Sequence, residues 1–128
     1  MKELRGYCFD EVITLSKGAG EDVDKMIEEE EREHLHEYEE ARIVLEGSGY
    51  FDVRDRCENF IRIEVKPGDM LIIPAGLYHR CVLDEKNNLK FRRLFPGLCP
   101  DWTPYYKPDA DKHPARKRYV TRYLDCPC

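Results

Sequence analysis

His34, His36, Glu40 and His79 are residues whose types and spacing could hold a metal ion. Side chains two apart in extended chain share a face, so His34 and His36 point the same way. Glu40 and Arg42 have the same parity and reach that face if the backbone stays extended. His79 follows the Pro74-Ala75-Gly76 turn, from which a neighbouring strand would bring it to the same spot. Three neutral imidazoles and one carboxylate make a mixed nitrogen and oxygen set. It suits iron(II), nickel(II), manganese(II) or zinc, and suits calcium or a thiolate-preferring ion poorly. Four protein ligands on an octahedral ion leave two adjacent positions, where a substrate can chelate through two oxygens. Arg42 is placed to donate hydrogen bonds to a substrate oxygen and stabilise an anion. The plainer alternatives are strand-capping or surface histidines, and an Arg42 paired with Glu39 or Glu40.

The elements that must position these residues are short. Residues 7–15 carry the apolar patch Val12-Ile13-Thr14-Leu15 and read as a strand, which Lys17-Gly18-Ala19-Gly20 breaks. Over 21–32, Val23, Met26 and Ile27 recur at i, i+3 and i+4 in a charged stretch, predicting a thin amphipathic helix. Beyond His36 the pattern is strand and turn, with strands expected at 41–45, 50–54, 60–65, 70–73, 79–84 and 89–95. The last two flank a predicted hairpin turn at 85–88. Ile43, Val44, Leu45, Ile61, Ile63, Leu71 and Ile73 are the expected core. Short strands between Gly/Pro turns mean an antiparallel sandwich or barrel. Residues 96–108 read as coil, and 115–124 as either helix or strand.

The chain's 128 residues are one domain's worth, and 41% hydrophobic content is too high for a disordered chain despite 37% charged residues. No run approaches the roughly 18 apolar residues of a membrane span. The start, Met1-Lys2-Glu3-Leu4-Arg5-Gly6, lacks the apolar region of a signal peptide, so an intracellular protein is expected. A net charge of −5 argues against a general nucleic-acid binder. Charge is local: residues 21–33 hold eight acids and 107–124 hold six Lys/Arg, and both blocks read as solvated faces. The six cysteines show no CxxC pair and read as free thiols; Cys126 and Cys128 read as a frayed tail, the alternatives being a metal site or a crosslink between chains.

The fuller spacing favours the metal over the plainer reading. His34-x-His36-x3-Glu40-x6-Gly47, then Gly68-x5-Pro74-x-Gly76-x2-His79, resembles the paired metal motifs of the cupin superfamily. Glu28 stands where the first motif usually opens with Gly, and Leu83 where the second often closes with Asn. The stretches Glu33-His34-Leu35-His36-Glu37, Gly49-Tyr50-Phe51-Asp52-Val53-Arg54-Asp55 and Pro74-Ala75-Gly76-Leu77-Tyr78-His79-Arg80 are similar to the acireductone dioxygenase family.

That resemblance implies a mainly β fold, a cupin-type antiparallel β-barrel (jelly roll) with one or two short peripheral helices. It implies a single cupin domain over 1–128: a lead-in strand and acidic helix at 1–33, a metal-binding barrel core at 34–95, and coil plus a C-terminal segment at 96–128. By motif position the metal ligands fall on His34, His36, Glu40 and His79, and the anion-stabilising arginine on Arg42. The implied cofactor is one iron(II) per chain, with nickel(II) as the alternative. The implied reaction is oxidation of an acireductone by O₂ in methionine salvage. The implied protein is cytoplasmic and also nuclear, with no nucleic-acid partner and no membrane span. Trp102 resembles the family's Trp-Thr-x-Tyr segment near the pocket mouth.

Two departures set further expectations. Cys81 stands where the family usually has Phe, and shares parity with His79. It is expected to line the pocket, making the site roomier and placing a thiol near the metal. Family members also usually carry a segment before the position of Met1. Its absence is expected to uncover an apolar edge, through which an otherwise monomeric chain self-associates. The alternative function is then a weakly active or inactive metal-binding cupin that works as a protein-interaction module.

Overall fold

The β-branched and aliphatic runs form strands and the acidic stretch forms a helix. The computed structural model describes residues 6–124. Their order is β1 (Phe9–Ser16), α1 (Glu21–Glu31), β2 (Glu40–Gly47), β3 (Gly49–Arg54), β4 (Phe60–Val65), β5 (Met70–Ile73), β6 (His79–Leu83), β7 (Asn88–Phe95), a 3-10 turn at Asp109–Lys112 and α2 (Pro114–Tyr123). One sheet runs β1-β7-β2-β5 and the other β4-β3-β6, with every neighbouring pair antiparallel. The chain passes repeatedly from one sheet to the other, the jelly-roll arrangement expected. Leu15, Val44, Phe51, Val65, Leu89 and Phe91, drawn from both sheets, meet in one core, onto which Ile27 of α1 packs.

Asp52 accounts for part of the Gly49–Asp55 block. On β3 it lies in register with Arg62 of β4 and Arg80 of β6, and its carboxylate accepts from both guanidinium groups at 2.8–2.9 Å. One buried carboxylate thus ties three strands together. Arg54 makes a bidentate pair with Glu33 at 2.7 and 3.0 Å, which anchors the chain just before His34.

Several expectations are corrected. β6 and β7 belong to different sheets, so residues 85–88 form a corner between sheets and not a hairpin. Asn87, at φ 53°, makes that corner and accepts from the Lys17 amide. Ile61 and Ile63 are not core: they are 48% and 36% exposed, whereas Val65 on the same face is buried. Alternation identifies a face, but β4 is a sheet edge, and only its Val65 end is covered. Each charge block hides one inward residue, Glu30 and Arg116. Cys8, Cys81 and Cys99 are free thiols, but Cys57 is disulfide-bonded, which corrects the all-free reading. Cys126 and Cys128 lie outside the described residues.

The ambiguous C-terminal stretch is a helix. Pro114 occupies its first turn and the His113 ring accepts from the Ala115 amide at 3.0 Å. α2 docks on the turn before His79. Gly76 sits at φ +82°, and a Cβ there would collide with the Ala115 carbonyl, so only glycine permits this approach. Arg116 donates to the Gly76 carbonyl at 3.2 Å and lies over the Tyr78 ring. No helix among the described residues is long and apolar enough to cross a membrane.

Candidate metal centre

Backbone pairing brings the three histidines together. His34 and His79 exchange amide hydrogen bonds at 3.0 and 2.9 Å, although His34 belongs to no continuous strand. Leu35 pairs in the same way with Tyr105, and the Gly76 amide donates to the His36 carbonyl. Residues 34–36 are therefore held from two sides. One side is the strand that begins at His79, and the other is the tail read as coil.

The ligand-type nitrogens of His34, His36 and His79 all lie within 4.8 Å of one another. Each Nδ1 faces a backbone carbonyl: Arg32 for His34 at 2.6 Å, Thr103 for His36 at 3.0 Å and Leu77 for His79 at 2.9 Å. A carbonyl only accepts, so Nδ1 carries the proton and Nε2 keeps its lone pair. Glu40 completes the cluster, its Oε1 lying 3.5 Å from His36 Nε2 and 3.8 Å from His79 Nε2. Glu40 Oε1 and His79 Nε2 are buried and have no hydrogen-bond partner among the described residues. Two proton-free lone-pair atoms facing each other in a dry site are costly unless a cation lies between them. The residues present thus fit a divalent transition-metal ion.

The electrostatics agree. Burial first, then repulsion from His34, His36 and Arg42, holds His79 well below its ordinary value. Burial likewise lowers His34. Both rings are neutral near pH 7, the form that binds metals. Glu40 Oε2 accepts from Arg42 Nε at 3.2 Å. The other arms of Arg42 make a bidentate pair with Glu30 of α1 at 3.0 and 3.1 Å. Burial works against charge on both Glu30 and Arg42, but their mutual attraction outweighs it. The Glu30 carboxyl is held below its usual value and the Arg42 guanidinium above its own. Phe51 stacks on His79 with planes 13° apart. A cavity of about 170 Å³ opens onto His34 and His36, walled by Met26, Glu29, Glu30, Arg93, Trp102, Pro104 and Tyr106.

Residues 1–104 match the family model described as the ARD/ARD' family. The chain belongs to that family. It is 47% identical over 124 residues to acireductone dioxygenase 1 of Physcomitrium patens, covering 97% of this chain and 63% of that relative. It is 48% identical over 120 residues to acireductone dioxygenase of Rattus norvegicus, covering 94% of this chain and 66% of the relative. The chain thus spans somewhat less than two-thirds of the length of these curated relatives. A solved acireductone dioxygenase from Bacillus anthracis, with a cadmium ion in its active centre, superposes with a TM-score of 0.73 at 28% identity, covering 82% of this chain and 60% of that one. A TDP-quinovose 3,4-ketoisomerase from Campylobacter jejuni superposes with a TM-score of 0.56 at 16% identity, covering 79% of this chain and 71% of that one, which shows a shared fold alone.

Within this ARD-family chain, His34, His36, Glu40 and His79 converge as described. Arg42 faces inward and pairs with Glu40, as the plainer reading had it, but it does not line the cavity. Trp102 does line the cavity, its ring under Arg93 and edge-on to Phe95. Cys81 shares the inward face with His79 but borders a different, small void of about 10 Å³, among Arg42, Val44, Phe51, Leu71, Leu89 and Phe91. The expected room beside the metal is therefore not at Cys81. Burial also pushes its thiol up to about 12, which keeps it protonated and unreactive. Sequence reasoning missed Glu30 and Arg93. Glu30 stands seven residues after Val23, so it continues the inward stripe of Val23, Met26 and Ile27. Arg93 alternates inward with Phe91 and Phe95 along β7 and pairs with Glu11 at 2.6 Å.

Proposed function

We propose that this ARD-family chain acts as an acireductone dioxygenase. It would oxidise 1,2-dihydroxy-3-keto-5-methylthiopentene with O₂ to 4-methylthio-2-oxobutanoate and formate when iron(II) is bound. The nickel(II) form would give 3-methylthiopropanoate, formate and CO. The names of the relatives support the substrate. The observation that carries the reading is the facing pair of buried, unpartnered atoms, Glu40 Oε1 and His79 Nε2, ringed by His34 and His36.

In this reading His34, His36, Glu40 and His79 hold the ion. When bound, the ion would act as a Lewis acid that lowers the proton affinity of a ligand oxygen. The chain's own groups do the rest. The Arg32, Thr103 and Leu77 carbonyls fix each imidazole in the donor tautomer, and Arg42 holds Glu40 at Oε2 so that Oε1 faces the histidines. Met26, Trp102, Pro104 and Tyr106 wall the cavity and limit the water beside a bound substrate. The oxidation needs no protein nucleophile, because the enediol is itself electron-rich. Cytoplasmic and nuclear location belongs to the same reading.

The test is metal content of purified protein, followed by O₂ uptake with acireductone after iron(II) loading. Replacing His79 with Ala should abolish most metal binding, and full retention would contradict the site. Iron-loaded, folded protein that takes up no O₂ would favour the second reading, a metal-binding interaction module. The Glu30–Arg42 bridge favours that second reading, because it occupies guanidinium groups that an anionic substrate would need.

A further inference from the structure

A second cavity lies beside the one at the metal centre. It measures about 540 Å³, is lined by Arg32, Tyr105, Tyr106, Lys107, Lys112 and His113, and shares Pro104 and Tyr106 with the first. Tyr106 links the two: the His34 ring lies edge-on to it at 6.3 Å, and the Arg32 guanidinium lies over it at 3.6 Å. The Arg32 carbonyl meanwhile faces His34 Nδ1 at 2.6 Å, so one residue gives backbone to the metal centre and charge to the groove. The two cavities differ in charge. The metal-side wall carries Glu29 and Glu30, and its Arg93 is matched by Glu11. In the groove Asp109 is the one carboxylate against three cations. Lys107 is shared with the exposed Glu58 at 3.5 Å, and Arg32 and Lys112 have no carboxylate partner among the described residues. His113 adds a donor, because its Nδ1 accepts from the Ala115 amide and Nε2 carries the ring's proton. A cleft lined by unmatched cations concentrates anions.

We propose that this groove is a binding site for small organic anions, and that Arg32 anchors them at the edge of the metal cavity. The identity of the anion rests on the function proposed above. An enediol conjugated to a ketone is a vinylogous acid, so the substrate, like its carboxylate products, is an anion at neutral pH. The groove gathers such an anion beside a wall whose two glutamates would otherwise slow its approach. Exposed cations act in this way by raising the rate of encounter, and salt weakens the effect.

The test titrates protein supplied with zinc(II), which is diamagnetic, and follows amide chemical shifts. The probes are 3-methylthiopropanoate and the neutral alcohol of the same length, 3-methylthiopropan-1-ol. Wild type should bind the carboxylate about tenfold tighter than the alcohol, with shifts at Tyr105, Tyr106 and Lys112, and added salt should shrink the preference. Arg32→Gln and Lys112→Gln should each cut the preference about threefold, the size of one contact between exposed charges. Arg32→Lys should keep most of it, which a purely structural arginine stacked on Tyr106 would not predict. Arg122→Gln, at the other end of α2, should leave it unchanged. His79→Ala separates this inference from the metal reading. A preference that survives His79→Ala and falls in Arg32→Gln supports the groove whatever becomes of the metal centre. A preference lost in His79→Ala but kept in Arg32→Gln puts the anion on the metal, and the groove is refuted while the metal centre stands. A wild type that binds both probes alike refutes the groove as well.

Discussion

Arg42→Met is the perturbation whose cost the structure sets most directly. The Arg42 side chain is 4% exposed and supplies three hydrogen bonds, one to Glu40 and two to Glu30. Methionine fills much of the same volume between Phe51 and Phe91, so cavity formation contributes little. What remains is two buried carboxylates with no cation between them. Breaking a buried ion pair by removing one partner costs about 3–5 kcal/mol. Unfolding entropy of about 2.1 cal/mol/K per residue over 128 residues comes to about 0.27 kcal/mol/K, so Tm should fall by roughly 11–19 °C. Urea and thermal unfolding in the presence of a chelator measure this free of metal linkage. Glu30→Met and the double variant complete a cycle. Because Glu30 is what Arg42 mainly neutralises, the double variant should be more stable than the sum of single losses by about 2 kcal/mol. A single loss under about 1 kcal/mol, or strict additivity, would refute the view that Arg42 holds two buried carboxylates in place.

Three shorter predictions test the rest. Cys81→Phe should destabilise by about 1–3 kcal/mol in urea unfolding, because the void at Cys81 is only about 10 Å³ and a phenyl ring overpacks the core. Asp52 has its carboxyl held below its ordinary value, by its Arg62 and Arg80 hydrogen bonds outweighing burial, so its stabilisation is present above the unfolded carboxyl value near 4 and is lost as pH falls below it. Asp52→Asn should therefore cost about 1–2 kcal/mol at pH 7, and the gap from wild type should close on acidification through pH 4 to 2. A gap that stays constant with pH would count against the carboxylate's part. Ile63→Ala should cost under about 1 kcal/mol and Leu89→Ala about 2–5 kcal/mol, since Leu89 is buried and Ile63 is on an uncovered edge.

Strand positions were legible because local signals suffice for them: turn residues at Gly47, Gly68 and Gly76, and β-branched runs between. Sheet membership was not. Residues 85–88 look like a hairpin loop because two strands flank four polar residues, yet β7 finds β1 and β2 while β6 finds β3. Which sheet a strand joins depends on partners far along the chain, such as the eight-residue register of β1 with β7. The same limit misplaced Ile61 and Ile63. Period-2 patterning says which side of β4 is apolar, and only the position of the other sheet says how much of that side is covered.

At the metal centre the ligand-type residues were legible for a different reason. Parity in extended chain puts His34 and His36 on one face, and the turn at Gly76 aims the chain back so that His79 pairs with His34. Glu30 escaped because charge was equated with exposure. Eight acids in 21–33 look like a solvated face, and most of them are. Helical geometry says otherwise for one: Val23, Met26, Ile27 and Glu30 stand at i, i+3, i+4 and i+7, so whatever packs Ile27 inward packs Glu30 inward too. A carboxylate carried there needs a buried cation, and Arg42 has the parity to supply it. Arg116 repeats the logic in the basic block, where a residue on the inner side of α2 reaches the Gly76 carbonyl. In both helices the buried charge sits next to the histidine-bearing backbone or its partner, which makes the inward member of a charged stripe the place to look for control of the site.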